Sequence, residues 1–183
     1  MRELLTIGHG RGDRSELAER LHEGGVDLLV DVRRFPGSRN NPDVGRDALA
    51  RWLPEEGIAY RWEERLGGRR RLPPDMASPD SWWRVEAFRA YAAHTRTPEF
   101  LDGLRELLAE AGQRQTVIMC SESVWWRCHR RLISDVAVLA HAVTVSHLMP
   151  GGRTSEHRPA DGARVGADGM LVWDGPDGSE PVV

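Results

Sequence analysis

The feature that most constrains this chain is a spacing near its start. The apolar run at residues 4–7 (LLTI) leads into Gly8-His9-Gly10-Arg11-Gly12. About ten residues of helical periodicity follow, stopped by Gly24-Gly25, and residues 26–32 (VDLLVDV) make a second apolar run. Apolar runs without polar alternation are strands covered on both faces. Two parallel strands need a crossover, and the segment between these runs supplies a helix, with Asp13 or Ser15 as cap and Leu17, Ala18 and Leu21 inward. The expectation is an α/β fold, a single domain with a mostly parallel central sheet flanked by helices.

The later chain continues the alternation. Residues 47–56 suit a helix with Leu49, Trp52 and Leu53 inward, and residues 58–62 alternate like a third strand. Helices are expected over 82–94 and 98–111, the second capped by Thr97 with Pro98 at its first position. A strand over 116–120, a helix carrying Leu132, Ile133, Val136, Ala137, Leu139 and Ala140, and a strand over 143–148 complete the domain. From Pro150 the chain turns rich in Gly, Pro and Asp, and residues 166–173 suit a small hairpin. The expected organisation is a domain at 1–149 with an extension at 150–183, which carries three arginines against six acids. No apolar run approaches the roughly 20 residues of a membrane span. The N-terminal residues lack the apolar core of a secretion signal. A cytoplasmic protein with reduced thiols, and no membrane partner, is expected.

All 25 basic side chains counted as Lys or Arg are arginine. Each is a planar fork matched to phosphate or carboxylate. In an open α/β sheet, ligands bind beyond the carboxyl ends of the strands. The segments at those ends hold His9, Asp31 with Arg33, Arg34 and Arg39, then Arg69, Arg70 and Arg71, then Cys120 through Arg131. Three arginine clusters are thus expected to converge on one rim.

The densest chemistry lies at residues 116–135 (TVIMCSESVWWRCHRRLISD). Both cysteines are here. Cys120 leaves a buried strand, and Cys128 precedes a helix beside Arg127 and His129, where positive charge favours thiolate. Six residues separate Cys120 from Arg127, so the phosphatase loop, with five between Cys and Arg, is not met. Asp31 and Glu122 are candidates for acid–base or glycosyl chemistry, with His9 and Cys120 beside them as catalytic candidates. His9, Cys120, Cys128 and His129 follow no standard zinc spacing, and neither metal nor cofactor is expected. Trp125 and Trp126 are candidates to stack bases while arginines hold phosphate. Candidate substrate contacts are Arg33, Arg39, Arg69, Arg70, Trp125, Trp126, Arg127, Cys128, His129 and Arg130.

These residues resemble the DUF488 family of domains of unknown function. The family's TIGHS-like turn stands here as Thr6-Ile7-Gly8-His9-Gly10, and its LvDVRxxPxSR segment as residues 29–39. Its LGG stands as Leu66-Gly67-Gly68, and its CAE…CHRxLIaD as Cys120-Ser121-Glu122 through residues 128–135. The likeness runs from about residue 4 to 150. Gly10 replaces the usual Ser, so position 10 is given no catalytic role; Ser121 replaces the usual Ala. The resemblance implies a compact α/β domain with a shared polar site and supplies no reaction. The VDLLVDVR segment is also similar, at fold level, to the Asp–Arg strand of rhodanese-like domains.

The expectation for function is an enzyme, hydrolase or transferase, acting on a phosphate-bearing substrate: a nucleotide or nucleic acid, in DNA repair or base processing. The alternatives are a cysteine-dependent sulfur-transfer or redox enzyme, and a non-catalytic nucleic-acid-binding module. A net charge of −3 argues against broad nonspecific nucleic-acid binding.

Overall fold

A computed structural model describes residues 3–175. Five parallel strands form the heart of the fold: β1 (Leu4–Gly8), β2 (Leu28–Asp31), β3 (Ala59–Trp62), β4 (Thr116–Cys120) and β5 (Val145–Met149). With β6 (Arg153–Glu156) antiparallel on one edge, the order is β3-β2-β4-β1-β5-β6. Leu5, Ile7, Leu29, Val117 and Met119 point to one face and meet α1 (Arg14–Glu23) and α2 (Arg46–Trp52). Leu4, Leu28, Val30, Ile118 and Val145 point to the other. There they pack with α3 (Glu86–His94), α4 (Pro98–Ala111) and α5 (Arg130–His141). Helices on both faces explain why the central strands β1, β2 and β4 are almost wholly apolar and buried. The expected α/β fold with a mostly parallel, helix-flanked sheet is the one observed.

Local chemistry sets the element ends. Asp13 caps α1 and exchanges bonds with Glu16 in a capping box, and Thr97 caps α4 ahead of Pro98. The expected 47–56 helix is two pieces, because Pro54 has no N–H to continue α2 and starts a 3₁₀ turn over Pro54–Glu56. The expected 82–94 helix begins only at Glu86. Trp82 and Trp83 lie in the turn before it, where Trp82 N–H donates to Trp173 O at 3.0 Å.

The C-terminal extension is built into the domain as far as it is described. β6 extends the sheet, and β7 (Ala163–Val165) pairs with β8 (Leu171–Trp173) around the 166–169 turn. Trp173 is fully buried in the same apolar cluster as Trp82, Trp83 and Leu132. The acids at 177 and 180 lie outside the described residues.

A buried polar chain ties this extension to α5. His157 Nε2–H donates to Asp135 Oδ1 at 2.7 Å, and Trp173 Nε1–H donates to Asp135 Oδ2 at 2.8 Å. Because a carboxylate only accepts, each hydrogen along the chain points toward Asp135. His147 Nε2–H then donates to His157 Nδ1 at 2.9 Å, and Thr6 O–H donates to His147 Nδ1 at 2.7 Å. Arg130 Nη1–H donates to Thr6 Oγ1 at 3.2 Å. A buried acid and a buried guanidinium close the two ends. Among the described residues, no helix is long and apolar enough to cross a membrane.

Candidate active site

Strands β1 and β4 are neighbours, yet the chain leaves β1 toward α1 on one face and leaves β4 toward α5 on the other. That divergence opens a crevice at their carboxyl ends, where α/β sheets bind ligands. The register brings the expected loops together there. His9 N–H donates to Cys120 O at 3.0 Å, Gly10 N–H to Ser121 O at 2.9 Å, and Val32 N–H to Met119 O at 3.0 Å. Gly8 is required at this crossing, because a Cβ would sit 1.8 Å from Glu122 O.

The crevice holds a pocket of about 290 Å³. Its floor is Cys120, Cys128 and His129; His9 and Arg33 line one side, and Glu122 and Arg127 another. Arg34, Phe35 and Arg69 complete the mouth. A larger groove of about 1000 Å³ shares Arg34, Phe35 and Arg69 and runs on past Arg70 and Arg71.

At the floor, the Nδ1 of His129 lies 3.6 Å from Cys128 Sγ and 3.9 Å from Cys120 Sγ. The other ring nitrogen donates to Val32 O at 2.8 Å, which leaves the Nδ1 lone pair facing the sulfurs. Gly68 keeps that side open: a Cβ there would stand 2.8 Å from Nδ1. Arg130 Nε–H donates to Cys128 Sγ at 3.4 Å, and its Nη2 donates to Glu122 O. Burial resists ionisation of Cys128, but the bond from Cys120 and the charge and donors of Arg130 outweigh it, so this thiol lies below its usual range. Cys120, donating to Cys128 and itself buried, is pushed above its usual range. Of the two coupled thiols, Cys128 gives up its proton more readily than Cys120.

His9 donates from Nδ1 to Gly10 O at 2.8 Å, so Nε2 carries the lone pair. Burial lowers its pKa, and Arg33, with its Nη1 3.4 Å from Nε2, acts in the same direction. His9 is therefore a neutral base beside the pocket.

Several sequence expectations change here. Asp31 is completely buried. It accepts from Arg33 Nε at 2.8 Å, Arg33 Nη2 at 2.7 Å and Tyr60 Oη at 2.8 Å. It is a fixed counter-ion that orients Arg33, with no oxygen left for proton transfer, and Arg33 is a neutralised wall of the pocket. Arg130 is buried, donates to Cys128 Sγ and lines neither cavity. Arg70 folds back onto Gly67 O and Glu64 O, each at 3.0 Å, and borders only the outer groove. Arg39 is exposed and lines neither cavity. Trp125 stacks on His147, ring centres 4.3 Å apart and planes 8° from parallel, and Trp126 packs edge-on against Trp125. The tryptophan pair is cover for the polar chain and is not a stacking platform in the pocket.

The mouth instead offers Phe35, which is 60% exposed, with the guanidinium carbons of Arg34 and Arg69 at 5.5 and 5.9 Å from its ring centre. Sequence reasoning missed Phe35, Phe88 and Tyr91. The signal for Phe35 was present, since an exposed aromatic beside arginines in a ligand-facing loop is a recognition surface. The other two sit on an apolar helix face indistinguishable from core. His9, Cys120, Cys128 and His129 follow no standard zinc spacing along the chain, yet the donor atoms of the last three lie within 4.8 Å of one another.

Pocket and fold together define the class: a three-layer α/β domain with an arginine-rimmed, thiol-floored pocket at its strand switch point. Residues 13–137 match the family described as domain of unknown function DUF488, and the chain belongs to that family. The match begins after β1, so His9 lies just outside it. No curated protein and no solved structure matches the chain.

Proposed function

We propose that the protein is an enzyme acting on a phosphate-bearing substrate, a nucleotide or a stretch of nucleic acid, bound at this pocket. The observation that carries the reading is charge without partners. Arg34, Arg69 and Arg127 line the mouth, and none has an ion pair among the described residues. Among the described residues, Glu122 is the one carboxylate lining the same pocket. Guanidinium groups so placed hold phosphate oxygens through charge-assisted bonds. Phe35 between two of them offers a face for a base, and the outer groove with Arg70 and Arg71 gives a longer chain somewhere to run. The reacting end then enters between the sides of the pocket, where the Nε2 of His9 and the carboxylate of Glu122 are proton acceptors. Base processing or DNA repair in a reducing cytoplasm suits this arrangement.

The test is binding of mononucleotides and short single-stranded oligonucleotides across a salt series. Three phosphate contacts give a slope of log affinity against log salt of roughly −2 for single strands. Each of Arg34→Ala, Arg69→Ala and Arg127→Ala removes roughly a third of it. A flat response overturns the reading. Salt-sensitive binding with no turnover of any bound ligand, unchanged by Glu122→Gln and His9→Ala, points instead to a non-catalytic nucleic-acid-binding module.

A second reading, a sulfur-transfer or redox enzyme, is favoured by one observation: both thiols share His129 Nδ1. It requires that Cys120→Ser or Cys128→Ser abolish turnover of a thiol or persulfide substrate.

A further inference from the structure

The thiol–imidazole cluster has a geometry that hydrogen bonding alone does not demand. Tetrahedral zinc with Zn–S near 2.3 Å and Zn–N near 2.0–2.1 Å holds sulfur and nitrogen about 3.6 Å apart and two sulfurs about 3.8 Å apart. The two sulfur–nitrogen separations here are 3.6 and 3.9 Å, and all three donor atoms fall within 4.8 Å. His129 directs Nδ1 into the cluster because its opposite nitrogen donates to the Val32 carbonyl at 2.8 Å. That outer bond is the one metal-bound histidines habitually make, since it fixes both tautomer and ring angle. Arg130 supplies the matching outer bond to the Cys128 sulfur. The cluster is also walled where a ligand set needs walls, with Tyr91 5.0 Å from the imidazole centre and Gly68 leaving the nitrogen side clear.

We propose that Cys120 Sγ, Cys128 Sγ and His129 Nδ1 form a three-ligand site for a divalent late first-row metal, zinc by the softness of its donors. On binding, the two thiols release their protons to solvent, and two thiolates with one neutral imidazole surround the ion. All three residues line the pocket, so the fourth position opens into it. Three protein ligands with one open place is the pattern of catalytic zinc, whereas structural sites are closed by four. No fourth histidine, cysteine or carboxylate stands with the cluster among the described residues. The open position takes water or an oxygen of the substrate. All three ligands come from the single β4–α5 connection, at positions 120, 128 and 129, and that spacing matches no standard zinc pattern, so the sequence gives little warning of the site.

The inference does not depend on the phosphate reading, and its test contains no substrate. The full chain is purified under reducing conditions without chelator, and its metal content measured by mass spectrometry. The stripped protein is then titrated with Zn²⁺ and with Co²⁺. The expected result is about one metal ion per chain. The cobalt form is expected to show a sulfur-to-metal charge-transfer band and the intense visible bands of tetrahedral Co²⁺. Zn²⁺ is expected to slow alkylation of both thiols at least tenfold, since bound thiolates are shielded. Cys120→Ser and His129→Ala lower zinc affinity at least tenfold, while His9→Ala, which leaves the cluster intact, does not. The unmutated protein alone decides the matter if a variant fails to fold. Metal below about a tenth of an equivalent, with a featureless cobalt titration and two freely alkylated thiols, overturns the site. A Cys120–Cys128 disulfide in the freshly purified protein overturns it equally.

Discussion

Two groups of arginines in this protein look alike in the sequence and behave differently in the fold. Along β3 and α4, Arg61 and Arg65 both grip the buried carboxylate of Glu63. Arg61 also reaches Glu110 at 2.7 Å, and Arg65 reaches Glu106. Every cation there is answered by an acid, so the network can only hold the sheet edge to the helix. At the pocket mouth, Arg34, Arg69 and Arg127 have no such answer among the described residues. The lesson is that arginine density marks nothing by itself. What distinguishes a binding rim from a brace is whether the fold delivers carboxylates to the same place: Glu63 is two positions from each arginine, but Glu106 and Glu110 come from 41 and 49 positions away.

The contrast can be strained hardest at Asp31, the acid that turns Arg33 from rim into wall. Asp31→Ala leaves a buried guanidinium unpaired and is expected to cost about 3–5 kcal/mol. Urea unfolding measures this; a loss below 1 kcal/mol means Arg33 was solvated after all. Next come the rim arginines. Replacing Arg34, Arg69 or Arg127 with alanine should weaken a phosphate-bearing ligand roughly tenfold each while shifting stability by no more than about 0.5 kcal/mol. Calorimetric titration beside thermal melts shows whether the two effects separate.

Acid distinguishes the regions in another way. Burial, then His157 and Arg130, push His147 down to about 2. The unfolded chain takes up that proton near pH 6.5, so below that pH the unfolded state binds more protons and stability falls as pH drops. From pH 7.5 to 5.5 the loss from this residue is about 1.4 kcal/mol. Glu63 is resisted by burial but lowered further by Arg65 and Arg61. Its contribution is intact above its unfolded pKa and is lost only as pH falls through the lower folded value, so the braced network adds nothing to the slope in this window. Stability curves at several pH values check this, and His147→Asn should flatten them. The smallest effect belongs to the brace itself. Arg61→Ala leaves Glu63 its second partner and should cost about 1 kcal/mol, with no change in ligand binding.

The sequence showed the scaffold better than the roles. Strand β1, α1, β2 and the β4–α5 turn were legible because burial on both faces leaves apolar runs and caps leave Asp13 and Thr97. The meeting of His9, Cys120 and His129 followed from parallel strands alone. Three things were not legible. β6 is a polar edge strand (RTSE) with no apolar alternation, held by backbone pairing to β5. Trp82 and Trp83 pack on Trp173, some 90 positions on, so local periodicity wrongly extended α3 over them. Asp31 and Trp125 carry residue types suited to catalysis and stacking, but Arg33, Tyr60 and His147 engage them first. Contacts distant along the chain, with Trp173, Tyr60 and His147, bear on the second and third of these, whereas β6 depends on the strand beside it.

The hydrogen-bonded path from Asp135 to Arg130 bears on where this molecule can be shortened. The family match stops at residue 137, whereas the groups that satisfy Asp135 are His157, Ala160 and Trp173. A chain cut at the family's border would strand an acid in an apolar interior and loosen the guanidinium bonded to the Cys128 sulfur. The outline by which the family is recognised is therefore smaller than the unit that satisfies its buried charges.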